Sequence, residues 1–382
     1  MSAAHSSANS ALLGNKECLN VSRALSELQA RRPIRISAPG ESLLALPVDG
    51  LDEQRLDDFA VLCSPNALKL VVTQQRARSI GIKTSTAMAL PLSRAVGVST
   101  IFNLAASAKN EGHFAGTAEA ASHAAMAAIR LAKLSRSLPA ALVADVLPNL
   151  DDDLMQLIAT VEADGVNRFA ADATNTLALA SEATIRLASG RAARFVVFRD
   201  ALGVDQVAII VGKPDFTQPV PVRLHSACLT GDVFGLRRCD CGDQLRLALA
   251  HLESLGGGVI LYMAQEGRGI GLANKMRAYR LQDGGLDTRD ANTILGFEDD
   301  ERDYGVAALM LRTLNCTRIV LLTNNPAKLD GLTKAGIEIA ARVALEAPVI
   351  PHNKRYLTTK AVRSGHHLRG DLQPDCRSER GD

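Results

Sequence analysis

His225-Ser-Ala-Cys-Leu-Thr-Gly-Asp-Val-Phe-Gly-Leu-Arg-Arg-Cys-Asp-Cys-Gly242 places three cysteines, Cys228, Cys239 and Cys241, in the pattern C-x10-C-x-C. Thiolate sulfur is the metal-binding form, and soft sulfur selects zinc, iron–sulfur clusters or copper(I). Four protein ligands close a structural zinc site, whereas three leave a position for water or substrate. Cys239 and Cys241 stand two apart, so in an extended strand or turn their side chains share a side. Cys228 must return from the far end of a short loop whose turns fall at Gly231-Asp232 and Gly235. No fourth ligand is evident, the nearest histidines being His225 and His251. Three ordinary buried cysteines are the plain alternative. The other four (Cys18, Cys63, Cys316 and Cys376) are scattered, which sets these three apart. An odd count and an N-terminus without a signal-peptide pattern disfavour a disulfide.

Working outward, 382 residues with 47% hydrophobic content allow two domains with sizeable cores. Aromatics are only 3% and Trp is absent, so Ala, Leu, Val and Ile must do the packing. A net charge of +2 argues against a nucleic-acid partner. No apolar run reaches the length of a membrane span, so no membrane partner and a cytoplasmic location are expected. Residues 1–18 and 369–382 are polar and read as disordered tails.

The cysteine loop follows an apolar strand at 220–225. Downstream the pattern predicts a helix at 244–255, a strand at 259–263, helices at 273–282 and 304–314, a strand at 318–322 and a helix at 326–335. Upstream, 183–187, 193–198 and 206–211 read as sheet strands, and 154–163 as a helix. The first half alternates shorter strands (34–36, 68–73, 140–146) with helices (21–30, 53–64, 74–80, 118–134). The fold class expected is α/β, with two mixed α/β domains at 19–150 and 183–368 and a linker at 151–182.

Three further loops carry chemistry. Gln265-Glu-Gly-Arg-Gly-Ile-Gly-Leu272 follows a strand and opens a helix, where glycines let backbone N–H groups approach an anion. Arg268 and Lys275 add charge there. Its G-x-G-x-G spacing is neither the dinucleotide fingerprint nor a P-loop, and a plain strand–helix turn reads equally well. Gly296-Phe-Glu-Asp-Asp-Glu-Arg-Asp-Tyr304 packs five acids around Arg302, which alone also fits a solvated helix start. In Leu322-Thr-Asn-Asn-Pro-Ala-Lys328, Thr323 or Asn324 would cap a helix and Lys328 would face a phosphate; simple capping is the plainer reading. Together the loops suit a charged, phosphorylated, ring-containing substrate. Metal activation of water, whose pKa falls from ~15.7 to ~7, gives hydrolysis at a ring carbon a precedent in base deaminases.

RLHSACLTGDVFGLRRCDCGDQL, QEGRGIGLANKMRAYRLQD, GFEDDERDY and LLTNNPAK stand in the order and spacing of GTP cyclohydrolase II, and 183–368 resembles that family. The resemblance implies opening of the imidazole ring of GTP, release of C8 as formate, release of pyrophosphate, and the diaminopyrimidine that starts riboflavin biosynthesis. It implies one zinc per subunit on Cys228, Cys239 and Cys241, magnesium with the GTP phosphates, and a homodimer. It makes Asp300 the proton acceptor and Arg302 the nucleophile at the α-phosphorus. Arg223, Gln244, Glu266, Gly267, Arg268, Thr288, Thr323 and Lys328 match GTP-contacting positions. Tyr279 matches the tyrosine near the purine that helps decide how far the reaction proceeds. A neutral arginine nucleophile at pH 7 costs roughly 7 kcal/mol, whereas a cationic clamp on the leaving pyrophosphate has no such cost. Ala227 and Ala264 depart from the family, which commonly has Glu and Arg there. The competing readings are a cyclohydrolase variant stopping at the formamidopyrimidine and a non-catalytic GTP-binding regulatory protein with structural zinc.

The first half is similar in layout to 3,4-dihydroxy-2-butanone 4-phosphate synthase. That enzyme needs an acidic loop after its first strand, where this chain offers only Glu41. The family's Gly-His-Thr-Glu run appears as Ala115-Gly-Thr-Ala-Glu119, without a histidine; His113 lies nearby. One carboxylate cannot both hold a cation and act as base. The first half is therefore expected to be catalytically silent and to serve folding, dimerisation or regulation.

Overall fold

The computed structural model describes residues 15–108, 114, 116–147 and 151–345. Of the tails expected at 1–18 and 369–382, residues 1–14 and all of 369–382 lie outside the described residues, as do His113 and Ala115. Residues 16–18, expected as tail, instead open the helix Lys16–Gln29, where Asn15 accepts a hydrogen bond from the Glu17 N–H at 2.9 Å. The chain divides into two compact units, Met1–Asp172 with Ile270–Glu301, and Ala173–Gly269 with Arg302–Asp382. This cut differs from the linear division expected from sequence, because the segment Ile270–Glu301 packs with the first unit.

In the first unit β1 (Ile34–Ala38), β2 (Glu41–Pro47), β3 (Lys69–Val72), β4 (Met88–Pro91), β5 (Glu119–Ala120), β6 (Ala140–Asp145) and β7 (Thr160–Glu162) form one sheet in the order β5-β4-β3-β6-β2-β1-β7. Only the β1–β7 pair is parallel. Pro39-Gly40 turns β1 into β2, with Gly40 at φ 74. β2 was not expected from sequence. Its Leu43-Leu-Ala-Leu46 run is buried, and a strand buried in mid-sheet shows no alternation to read. The stretch expected to be a linker, with a helix at 154–163, holds the short helix Asp152–Leu157, β7 and the helix Ala163–Asn175. There the β-branched Thr160 and Val161 pair with β1, and the sheet edge overrides helical periodicity. Helices Leu272–Asp283 and Thr288–Ile294 belong to this unit, with Ala278, Ala291, Leu295 and Phe297 in one core with Leu70, Leu90 and Leu142.

In the second unit β8 (Ala178–Arg186), β9 (Ala192–Arg199), β10 (Asp205–Gly212), β11 (Val220–Ser226), β12 (Gly257–Met263), β13 (Arg318–Leu322) and β14 (Glu338–Val343) order as β14-β13-β11-β12-β10-β9-β8. β11 runs parallel to β12 and β13, and β13 to β14, while β8, β9, β10 and β12 pair antiparallel. Val222, Leu224, Val259, Leu261 and Leu321 fill the core with Met310 of the helix Gly305–Thr313. Because β11, β12 and β13 are parallel, the cysteine loop, the Gly-rich loop and the Thr-Asn-Asn-Pro loop all leave the sheet at one edge. That edge, at the carboxyl ends of parallel strands, is where α/β sheets bind ligands. Among the described residues no helix is long and apolar enough to cross a membrane.

Candidate active site

One residue, Ala227, separates β11 from Cys228, and Cys241 begins the helix Cys241–Ser254. Between them the short helix Leu229–Asp232 and a turn at Gly235 (φ 61) bring the chain back to Cys239. The three sulfurs lie within 4.8 Å of one another, with Cys228 and Cys239 3.8 Å apart. Cys228 and Cys239 are buried and Cys241 is half-buried. A Cβ placed on Gly231 would stand 2.9 Å from the Cys239 sulfur and 3.0 Å from that of Cys228. One placed on Gly242 would stand 2.3 Å from the Gly231 carbonyl oxygen. Two glycines packed on each other therefore close the thiol cage. The hydrogen-bonding Cys228 thiol, then burial, push the Cys239 thiol up to about 11, a pressure that a divalent cation would relieve. Three convergent soft donors fit zinc with one position left over.

Asp232 fixes the first cysteine. Its buried carboxylate accepts from the Cys228 N–H at 2.9 Å, from the Tyr262 hydroxyl at 3.0 Å and from His225 Nε2 at 3.1 Å. Strand register sets His225 beside Tyr262, and their rings stack with centroids 5.5 Å apart. Burial pushes the His225 imidazole below its ordinary pKa, favouring the neutral ring. Sequence reading missed this role for Asp232. Its only local signal was an acid four residues after a cysteine.

The cationic residues converge at the same edge. Arg223 on β11 donates to the Leu322 carbonyl at 3.0 Å and to the Gln244 side-chain oxygen, and the Gln244 amide donates to Asp240. Burial pushes the Arg223 guanidinium down to about 10, helped by the like charge of Arg302 and opposed by Asp240 and Cys241. Arg302 also lies over the Tyr304 ring, 5.7 Å from its centroid. Lys328 is buried and donates to the Leu224 carbonyl at 2.7 Å. The helix Pro326–Lys334 is capped by Asn325 rather than by Thr323 or Asn324 as expected. Thr323 instead accepts from the Asn325 N–H, and Asn324 bonds to Leu345.

In the Gly-rich loop, Glu266 accepts from the Leu229 N–H at 2.7 Å, tying this loop to the cysteine loop. Gly267, Arg268 and Gly269 all take positive φ (63, 64 and 96). For Arg268 the left-handed region costs on the order of 1 kcal/mol or more, strain that tends to gather at ligand sites. Among the described residues the buried polar side-chain atoms without a hydrogen-bond partner are Arg223 Nε, His225 Nδ1 and Gln265 Oε1. All three belong to this edge, and unmet buried polar atoms call for an explanation such as a ligand.

The second unit thus brings together Cys228, Cys239, Cys241, Arg223, Gln244, Glu266, Gly267, Arg268, Arg302, Thr323 and Lys328. Tyr279, Thr288 and Asp300 are carried by the first unit. There the Lys275 ammonium lies 5.6 Å from the Tyr279 ring centroid. Thr288 opens the helix Thr288–Ile294 after the capping Asp287. The acids around Asp300 are not a plain solvated helix start: Asp299 pairs with Arg289, Glu301 with Lys133 at 2.6 Å, and Glu298 accepts from Gln75.

A family model described as GTP cyclohydrolase II matches residues 178–344. A protein of Xylella fastidiosa named GTP cyclohydrolase-2 is 38% identical over 357 residues, covering 93% of this chain and 89% of that protein. One of the same name from Azospirillum brasilense is 48% identical over 249 residues, 63% of this chain and 64% of its own. Riboflavin biosynthesis protein RibBA of Bacillus mycoides is 54% identical over 164 residues, 43% of this chain and 41% of its own. The solved structure of RibBX, a two domain 3,4-dihydroxy-2-butanone 4-phosphate synthase from A. baumannii, aligns with a TM-score of 0.32 and 13% identity over 86% of this chain and 99% of that chain, too low to bear on the fold. With a relative this similar along nearly its whole length, the chain belongs to the GTP cyclohydrolase II family.

Proposed function

We propose that this chain hydrolyses GTP with zinc and magnesium, releasing formate and pyrophosphate and leaving the diaminopyrimidine that starts riboflavin biosynthesis. The observation that carries this reading is the three-thiol cage at the carboxyl end of β11, with sulfurs within 4.8 Å of one another. Cys228, Cys239 and Cys241 would hold the zinc, which when bound supplies a Lewis acid and an activated water at neutral pH.

The protein's own groups divide the remaining work. Arg223 and Lys328, buried and aimed by the Leu322 and Leu224 carbonyls, supply positive charge for the triphosphate, whose magnesium would be held largely by phosphate oxygens. Gly267, Arg268 and Thr323 are proposed to contact GTP. Gln244 keeps Arg223 in place, and Glu266, which accepts from the Leu229 N–H, is proposed to contact GTP. Arg302 is best read as a cation stabilising the departing pyrophosphate, since a neutral guanidine would cost roughly 7 kcal/mol at pH 7. Asp300 is proposed as the proton acceptor, and Tyr279 and Thr288 as substrate contacts. The alanines that depart from the family act through backbone: the Ala227 N–H donates to Met263 and the Ala264 N–H to Gln206. A cytoplasmic homodimer is the working assembly.

The first unit is proposed to be catalytically silent towards ribulose 5-phosphate. Its one candidate acid, Glu41, is engaged by the Ala124 N–H at 3.3 Å, at the start of the helix His123–Leu134. Incubating the zinc-loaded chain with GTP and magnesium, then assaying formate and pyrophosphate, tests the proposal. Both products are expected. Pyrophosphate without formate selects a reaction stopping at the formamidopyrimidine, which keeps C8 as its formyl group, and neither product selects a binding protein.

A further inference from the structure

The segment Ile270–Glu301 carries Tyr279, Thr288 and Asp300, and the first unit holds it at several points. Arg76 makes the main clasp. Its buried guanidinium donates to the carbonyls of Asn103 at 2.6 Å, Leu104 at 2.7 Å, Ser107 at 2.9 Å and Ile294 at 3.0 Å. The first three lie at the carboxyl end of the helix Val98–Ala106, and Ile294 ends the helix Thr288–Ile294. Last-turn carbonyls have no partner within their own helix and welcome a cation. One planar fork thus joins two helix ends in a fixed geometry, which a lysine cannot reproduce.

The neighbouring contacts repeat the pattern. Asp49 pairs with Arg277, two residues before Tyr279, while also accepting from the Leu138 N–H at 2.9 Å. The Asn274 amide donates to the Arg136 carbonyl at 3.0 Å. A Cβ on Gly296 would stand 2.8 Å from the Thr73 hydroxyl and 3.1 Å from Pro139, so the backbone is seated without clearance. Apolar burial alone would hold the segment to this unit but would not fix its register. Directional contacts through Arg76, Asp49 and Arg136 do.

We propose that the first half of the chain is the positioning scaffold for Tyr279, Thr288 and Asp300, with Arg76 and Asp49 as positioning residues for GTP hydrolysis. This rests on the function proposed above. It gives a catalytically silent half a reason to be indispensable: the segment bearing three proposed reaction residues shares its core.

The test uses the full chain as Arg76→Lys and Asp49→Asn, with Lys69→Ala, at a surface ion pair with Glu119, as the control. Hydrogen exchange over 272–294, zinc content and steady-state kinetics with GTP are measured. For Arg76→Lys the expected result is at least tenfold faster exchange in that segment, one zinc retained per chain, KM for GTP raised at least fivefold and kcat/KM lowered at least tenfold. A purely structural loss would lower kcat by removing active molecules and leave KM unchanged, which overturns the proposal. If Arg76→Lys does not fold, Asp49→Asn decides, because asparagine keeps an acceptor for Leu138 while releasing Arg277. Unchanged exchange in that variant, or kcat/KM within twofold of the native chain, overturns it. Absence of turnover in the native chain defeats the reading of function itself, whereas normal exchange in an active enzyme defeats only the scaffold.

Discussion

Gly231 has no side chain because two sulfurs and a Cys241 methylene stand where one would go. Gly231→Ala is therefore expected to lose zinc during dialysis while the native chain keeps it, read as the metal-to-protein ratio. Asp232→Asn tests a subtler dependence. It keeps an oxygen for the Cys228 N–H but removes the charge shared with His225 and Tyr262, and a weakening of zinc affinity by roughly 10–100-fold is expected by competition with a chelator. The cysteines themselves were legible, since three soft ligands so close in sequence have few other uses. Asp232 was not, because its partners His225 and Tyr262 lie on separate strands and only the β11–β12 register puts them side by side.

The helix Pro326–Lys334 shows how an element is pinned. Thr323, Asn324 and Asn325 are all competent caps by type, so local preference cannot choose among them. Tertiary pairing chooses. The Thr323 N–H donates to Val343, extending the edge towards β14, and Asn324 is taken by Leu345, which leaves Asn325 to accept from the Ala327 N–H at 2.9 Å. Asn325→Ala is expected to cost about 1 kcal/mol, seen as a lower Tm, and to raise KM for GTP because Lys328 lies in the first helical turn. β11 and β12 were legible as apolar runs ending in loops. β2 and β7 were not, one because burial in mid-sheet erases alternation, the other because three residues at a sheet edge carry too little pattern to outweigh a helical reading.

Across the whole molecule, each unit buries a cysteine away from any metal site: Cys63 in the first and Cys316 in the second, both pushed up to about 12 by burial. A thiol whose folded pKa exceeds its unfolded value of about 9 adds stability that is complete below pH 9. That contribution is lost as pH rises from 9 towards 12, where the unfolded chain ionises and the folded one resists. Denaturant midpoints should therefore fall across this range, and Cys63→Ala or Cys316→Ala should each flatten the fall; an unchanged slope in both variants would contradict the assignment. Sequence by itself determined the fold class, the family and the close spacing of the three cysteines, and it supplied most of the residues proposed to meet GTP. These rest on residue type and short spacing, which local chemistry is enough to interpret. Only the tertiary structure decided which loops share the edge of the sheet, which acid steadies Cys228, and that the segment Ile270–Glu301 is built into the first unit. Those depend on strand register and on a core shared by residues far apart in the chain, and neither leaves a periodic trace in the sequence.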